Sequence, residues 1–117
     1  MKFTRAGFIL NPENYQECVY FYGNILGLEF MFKIDRKGEK LTTFDLGGVY
    51  LMIETGGIAQ HGGKSMATCP TKLRFNVSDI QATCADLRRK GIQAKVIDHS
   101  WGRTAEFFDP DGNRCAL

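Results

Sequence analysis

No stretch of this chain stays apolar for long enough to span a bilayer. Its opening residues, one lysine followed by Phe3-Thr4-Arg5, carry no apolar core of the kind that marks a secretory leader. These two absences give the expectation of a soluble, cytoplasmic protein without a membrane partner. Basic runs are missing as well. The longest is Arg88-Arg89-Lys90, and a formal net charge of +2 offers no field to draw in nucleic acid. There is no Cys-x-x-Cys pair. Cys18, Cys69, Cys84 and Cys115 stand at long spacings, which reads as reduced, mostly buried thiols and argues against a disulfide frame or a zinc site. A phosphate loop is absent too, although Gly62-Gly63-Lys64-Ser65 imitates one. The motif needs glycine where Ile58 stands, and no amphipathic helix follows Ser65 to hold a phosphate at its N-terminus. His61, in the same segment, reads as a solvated loop histidine.

What the chain does have is the make-up of one soluble globular domain. Its 117 residues are 44% apolar and 24% charged, a length at which folding buries roughly 65% of the surface the unfolded chain exposes.

Periodicity then divides the chain into elements. Phe3 to Leu10 alternates as a strand, with Ala6, Phe8 and Leu10 on one face and Arg5, Gly7 and Ile9 on the other. Asn11-Pro12-Glu13 opens a helix, with Asn11 as N-cap. Tyr15, Cys18, Val19, Tyr22, Ile25 and Leu26 follow at helical spacing, and Gly27 is the stop. Leu28 to Ile34 is a strand, the charged tip Asp35 to Lys40 a loop, Leu41 to Leu46 a strand, Gly47-Gly48 a two-residue turn and Val49 to Glu54 a strand. After an unpatterned stretch, Lys72 to Ser78 alternates as a strand. Asp79 caps a helix that ends at Gly91, Ile92 to Ile97 is a strand, and Asp98 to Gly102 is a corner. Thr104 to Phe108 is the next strand. Then Pro110 sets φ for a turn that Gly112 and Asn113 complete, and Arg114 to Leu117 runs back. Each half reads β-α-β-β-β. The predicted fold class is α+β, one domain over 1–117 made of repeat 1 (1–55), a linker (56–70) and repeat 2 (71–117).

Phe21-Tyr22 with Gly27-Leu28, Tyr50-Leu51-Met52-Ile53-Glu54, Val77-Ser78-Asp79-Ile80 and Phe108-Asp109-Pro110-Asp111-Gly112-Asn113 occur in this order over nearly the whole chain. In that arrangement the sequence resembles the vicinal oxygen chelate superfamily of glyoxalase I, extradiol dioxygenases, fosfomycin-resistance enzymes and bleomycin-resistance proteins. The resemblance implies two βαβββ modules whose mixed sheets curve round a cleft, commonly completed in a homodimer. In metal-dependent members, inward positions on the first and last strands of each module hold a divalent metal. Carried over, these positions fall at Gly7 (or Ala6), Glu54, about Lys72, and Ala116. Glycine and alanine have no donor atom and a lysine ammonium has no free lone pair, so a three-ligand centre is not expected. Asp98 and His99 are neighbours on a strand and point to opposite faces.

Strand parity places Arg5, Gly7, Ile9, Tyr50, Met52 and Glu54, with Lys72, Arg74 and Asn76, on the cleft side. Trp101 is either a pocket wall or a core or interface anchor. The candidate ligand-binding residues are therefore Arg5, Tyr50, Met52, Glu54, Lys72, Arg74 and Trp101. Their mixture of aromatic, thioether and charged groups suits an aromatic or amphipathic small molecule. Glu54 reads locally as a salt-bridge partner of Arg5, Lys72 or Arg74, and no residue is assigned a catalytic step. The expectation is a metal-free binding protein that sequesters or presents a small molecule, with no cofactor. The alternative is a metal-dependent lyase or dioxygenase with Glu54 and His99 or His61 among its ligands. A partner-binding or regulatory module is a third class.

Overall fold

The computed structural model describes residues 1–117 throughout. The chain divides into two compact units, Met1–Ala59 and Gln60–Leu117.

In the first unit the order is β1 (Ala6–Leu10), α1 (Tyr15–Tyr20) running on as a π-helical turn (Phe21–Ile25), β2 (Glu29–Arg36), β3 (Glu39–Asp45) and β4 (Val49–Glu54). The strands form one mixed sheet in the order β1-β4-β3-β2, with β1 parallel to β4 and the other pairs antiparallel. Helix α1 lies against β4. Cys18, Phe21 and Tyr22 on the helical segment, and Leu41, Phe44, Leu51 and Ile53 on the central strands, are buried apolar side chains. The row Phe8, Leu51, Phe44, Phe30 runs across all four strands in register. Its two central members are buried while Phe8 is 51% and Phe30 57% exposed. Phe8 stays exposed because β1 is an edge strand of the sheet.

Two boundaries also differ from expectation. The helix begins at Tyr15, not after Asn11, because Asn11 and Pro12 are tied to the end of β4 and the chain just beyond it. The Asn11 amide donates to the Glu54 carbonyl (2.9 Å), and the Pro12 carbonyl accepts from Thr55 Oγ1 and the Gly56 N–H. The charged tip 35–40 is mostly strand: Asp35 pairs with Lys40 and Arg36 with Glu39, leaving a turn at Lys37-Gly38 in which Gly38 has φ +81°. The Gly47-Gly48 turn forms as expected, at φ +80° and +112°, and Asp45 Oδ1 accepts from the Gly47 N–H.

The second unit repeats the order with β5 (Leu73–Arg74), α2 (Ile80–Arg89), β6 (Lys95–His99), β7 (Gly102–Phe108) and β8 (Arg114–Ala116). Its sheet is β5-β8-β7-β6, with β5 parallel to β8. Asp79 caps α2 by accepting from the Ala82 N–H (2.9 Å), as its position before the apolar run predicts. The strand expected over Lys72 to Ser78 is cut to Leu73–Arg74, with one further bond from the Phe75 N–H to the Ala116 carbonyl. Its partner β8 is three residues long. Cys84 and Leu87 of α2, Ala105 and Phe107 of β7, and Cys115 of β8 are buried.

The turn between β7 and β8 is a buried polar knot. Asp109 Oδ1 accepts from the backbone N–H groups of Asp111 (2.9 Å) and Asn113 (2.8 Å), and its Oδ2 accepts from the Asn113 side-chain amide (2.9 Å). Residues 60–69 are fastened to this knot. The Gln60 N–H donates to the Asp111 carbonyl, the Lys64 N–H to the Gly112 carbonyl, Lys64 Nζ to Asn113 Oδ1, and Arg114 Nη1 to the Cys69 carbonyl. All four cysteines are free thiols. No helix is long and apolar enough to cross a membrane.

Candidate functional site

The second unit carries the site with the most chemistry. Parallel pairing of β5 with β8, and antiparallel pairing of β8 with β7, sets Arg74, Ala116 and Glu106 in one row across the sheet. Strand parity then puts Thr104 on the same face of β7 as Glu106, and Lys72 on the same side as Arg74. His99 ends β6, and Trp101 stands in the turn that follows. Together these residues line a cavity of about 380 Å3.

Its polar groups are already arranged. Lys72 Nζ meets Glu106 Oε1 at 2.5 Å. That hydrogen bond, with the charges of Lys72, Arg114 and Lys95, holds the Glu106 carboxyl below its ordinary range against the opposing pull of burial. Thr104 Oγ1 lies 3.0 Å from His99 Nε2 and fixes the imidazole. The imidazole stacks on Trp101, with centroids 4.5 Å and planes 7° apart. The Arg74 guanidinium stands 5.8 Å from the centroid of the same indole. Trp101 itself remains 68% exposed. Of the two readings left open by the sequence, that of a core anchor is excluded by this exposure.

The sequence-predicted residues thus fall into two groups. Lys72, Arg74 and Trp101 are brought together around one cavity. Arg5, Tyr50, Met52 and Glu54 belong to the first unit. There, Arg5 Nη2 pairs with Asp45 Oδ1 at 3.2 Å and approaches Met31 Sδ at 3.7 Å. The Tyr50 ring lies against Gly7 so closely that a Cβ there would sit 2.5 Å from it. Met52 pairs with Ile9 and Thr43 across the sheet. Glu54 makes no ion pair, contrary to expectation. Because β1 runs parallel to β4, Arg5 reaches the Val49 end of β4, where Asp45 waits, while Glu54 closes the other end. Lys72 is engaged by Glu106, and Arg74 is turned toward Trp101.

Glu106, Thr104 and the packing of His99 on Trp101 were missed from sequence. The alternation Thr104-Ala105-Glu106-Phe107, with its apolar members buried, is the signal that points Thr104 and Glu106 to the other face.

The residues present do not fit a divalent metal. Of the four positions the resemblance gives to one, Gly7 is covered by the Tyr50 ring, Lys72 is a cation, and Ala116 has no donor, leaving Glu54 alone. No three His, Cys, Asp or Glu side chains stand together in a way that could hold an ion.

A family model described as the Glyoxalase/Bleomycin resistance protein/Dioxygenase superfamily matches residues 5–117. No curated protein matches the chain in sequence. Among solved structures, TnmS3, an antibiotic-binding protein from Streptomyces sp. CB03234, superposes with a TM-score of 0.73 at 20% identity, covering 100% of this chain and 96% of that one. A glyoxalase family protein from Enterococcus faecalis gives 0.70 at 27% identity, covering 99% and 95%. The trypanothione-dependent glyoxalase I of Leishmania major gives 0.72 at 20% identity, covering 99% and 86%.

Proposed function

The chain belongs to the glyoxalase/bleomycin resistance protein/dioxygenase superfamily, and on that premise we propose that it is a metal-free binding protein that captures a planar aromatic or amphipathic small molecule in the second-unit cavity. The observation that carries the reading is Trp101. A large indole left 68% exposed, backed by a parallel imidazole and flanked by a guanidinium, is a prepared stacking surface at the wall of a cavity. A ligand that meets this ring finds its surface already oriented by the imidazole and the guanidinium. The cavity volume of about 380 Å3 falls within the range of ~300–1,000 Å3 usual for small-molecule sites. On the same fold TnmS3 is an antibiotic-binding protein, which makes small-molecule capture a role this scaffold serves.

The residues assign no catalytic step. Glu106 is held as an anion by Lys72, which makes it a poor base. The test is calorimetric titration of the protein and of Trp101→Ala with a panel of planar aromatic compounds, alongside metal analysis of the purified protein. Binding that disappears in Trp101→Ala, in protein carrying no stoichiometric metal, is the expected result. Stoichiometric metal lost on Glu54→Ala, or a panel that never binds, overturns it, the former in favour of a lyase or dioxygenase.

A further inference from the structure

A second cavity, of about 360 Å3, adjoins the first in the same unit, and the two linings share two side chains, Arg74 and Trp101. These two residues are therefore the divide between the cavities. Lys72, Glu106, Thr104 and His99 stand on the first side of the divide, and Val77, Ile80 and Leu117, with Asn76 and Arg103, on the second. Charge singles out one of the dividing residues. Lys72 is paired with Glu106, and Arg103, at the second cavity, with Asp98 at 2.6 Å. Arg74 has no carboxylate partner, and its guanidinium rests only on the Trp101 ring.

We propose that the two cavities are subsites for one elongated ligand that crosses the Arg74–Trp101 divide: a two-ring, amphipathic organic acid whose anionic group, near the middle of its length, is taken by Arg74. This deepens the reading of the cavity as a small-molecule site and rests on it. A guanidinium on an aromatic face keeps its edge donors free, so an acid can accept a forked pair of hydrogen bonds from Arg74 without breaking an existing ion pair. One ring then lies against the exposed part of Trp101 beside the polar groups of the first cavity, and the other lies on Val77, Ile80 and Leu117. A single-ring acid fills one subsite only, and a two-ring compound without the acid leaves Arg74 unused.

N-phenylanthranilate, two rings flanking a carboxylate, is the probe. Anthranilate and diphenylamine are its two partial versions. Trp101 is the only tryptophan, so its indole N–H gives a single nuclear magnetic resonance signal that reports on the divide. N-phenylanthranilate is expected to move that signal and to bind at least about tenfold more tightly than either partial compound. In Arg74→Gln its affinity should fall to that of diphenylamine, and in Ile80→Asp to that of anthranilate, with melting temperatures showing both variants folded. Equal affinities for the three compounds, or an N-phenylanthranilate affinity untouched by both substitutions, overturns the two-subsite proposal while leaving aromatic capture at Trp101 standing. An indole signal that none of the three moves overturns the two-subsite proposal, and the wider aromatic panel with Trp101→Ala then decides the reading it rests on.

Discussion

The imidazole of His99 lies parallel to the indole of Trp101, 4.5 Å from it, and is itself tethered to Thr104. The exposed ring of the site is thus held from behind by a residue whose own orientation is fixed by a β7 hydroxyl. His99→Ala removes that backing. Because Trp101 is mostly exposed, the stability cost should be small, about 1 kcal/mol or less. The local effect should be large. The fluorescence anisotropy of the single tryptophan is expected to fall and its emission to shift to the red. Unchanged anisotropy would mean that the turn, and not the imidazole, orders the indole.

Lys72 and Glu106 give the site a pH response of known sign. The Glu106 carboxyl is lowered from its ordinary 4.5, chiefly by the Lys72 hydrogen bond. A depressed carboxyl contributes stability above its unfolded value and loses it as pH falls through the folded one. The pair should therefore be intact at neutral pH and break only below about pH 4.5, leaving the cavity with additional positive charge. Carbon-detected titration of the Glu106 carboxyl should show a midpoint below the ordinary value. Lys72→Met should raise it, since burial, which opposes the hydrogen bond, then acts with less opposition. With the Glu106 side chain 46% exposed, the accompanying change in stability is screened and should be slight.

Asp109 should be the costliest polar residue of the second unit to lose. Its carboxylate takes three hydrogen bonds inside a turn where Asp109, Asp111 and Asn113 are all buried. Asp109→Ala strands those donors away from water, and at ~1–3 kcal/mol for each unsatisfied group the loss should reach about 3 kcal/mol or more in chemical denaturation. Asp109→Asn keeps one acceptor but opposes a donor to the Asn113 amide, so it should fall between alanine and the parent. A loss below about 1 kcal/mol in Asp109→Ala would show that water replaces the carboxylate.

Asp109 also illustrates what was legible in the sequence. Turn chemistry located the hairpin, because Pro110 and Gly112 dictate backbone angles wherever they stand. It did not reveal that the first aspartate is the hub of the knot, or that residues 60–69 are fastened over it, since both depend on contacts distant in sequence. The same division runs through the site. The helix cap at Asp79, the Gly47-Gly48 turn, the β4 limits and the repeated β-α-β-β-β order follow from local propensity and period. Ion-pair choice does not. Glu54 was matched to nearby cations by type, whereas parallel register decides that Arg5 meets Asp45 and sheet order decides that Lys72 meets Glu106. Parity fixes the face on which Phe8 lies but not that its strand is at an edge, where it stays exposed.

Thr43 supplies a test in the opposite direction, a substitution expected to stabilise. It sits at the centre of the first sheet between Met52 and Phe32 in register and is 1% exposed. Its Oγ1 has no hydrogen-bond partner. A buried hydroxyl without a partner forfeits its bonds to water on folding, a cost of about 1–3 kcal/mol. Valine replaces that oxygen with a methyl of similar shape and keeps the β-branched form that suits a strand. Thr43→Val should therefore raise the free energy of unfolding by about 1 kcal/mol, with an unchanged denaturant slope. A loss of stability in place of a gain would show that the hydroxyl is hydrogen-bonded in solution, and a bridging water at the centre of the first sheet would then become the feature to locate.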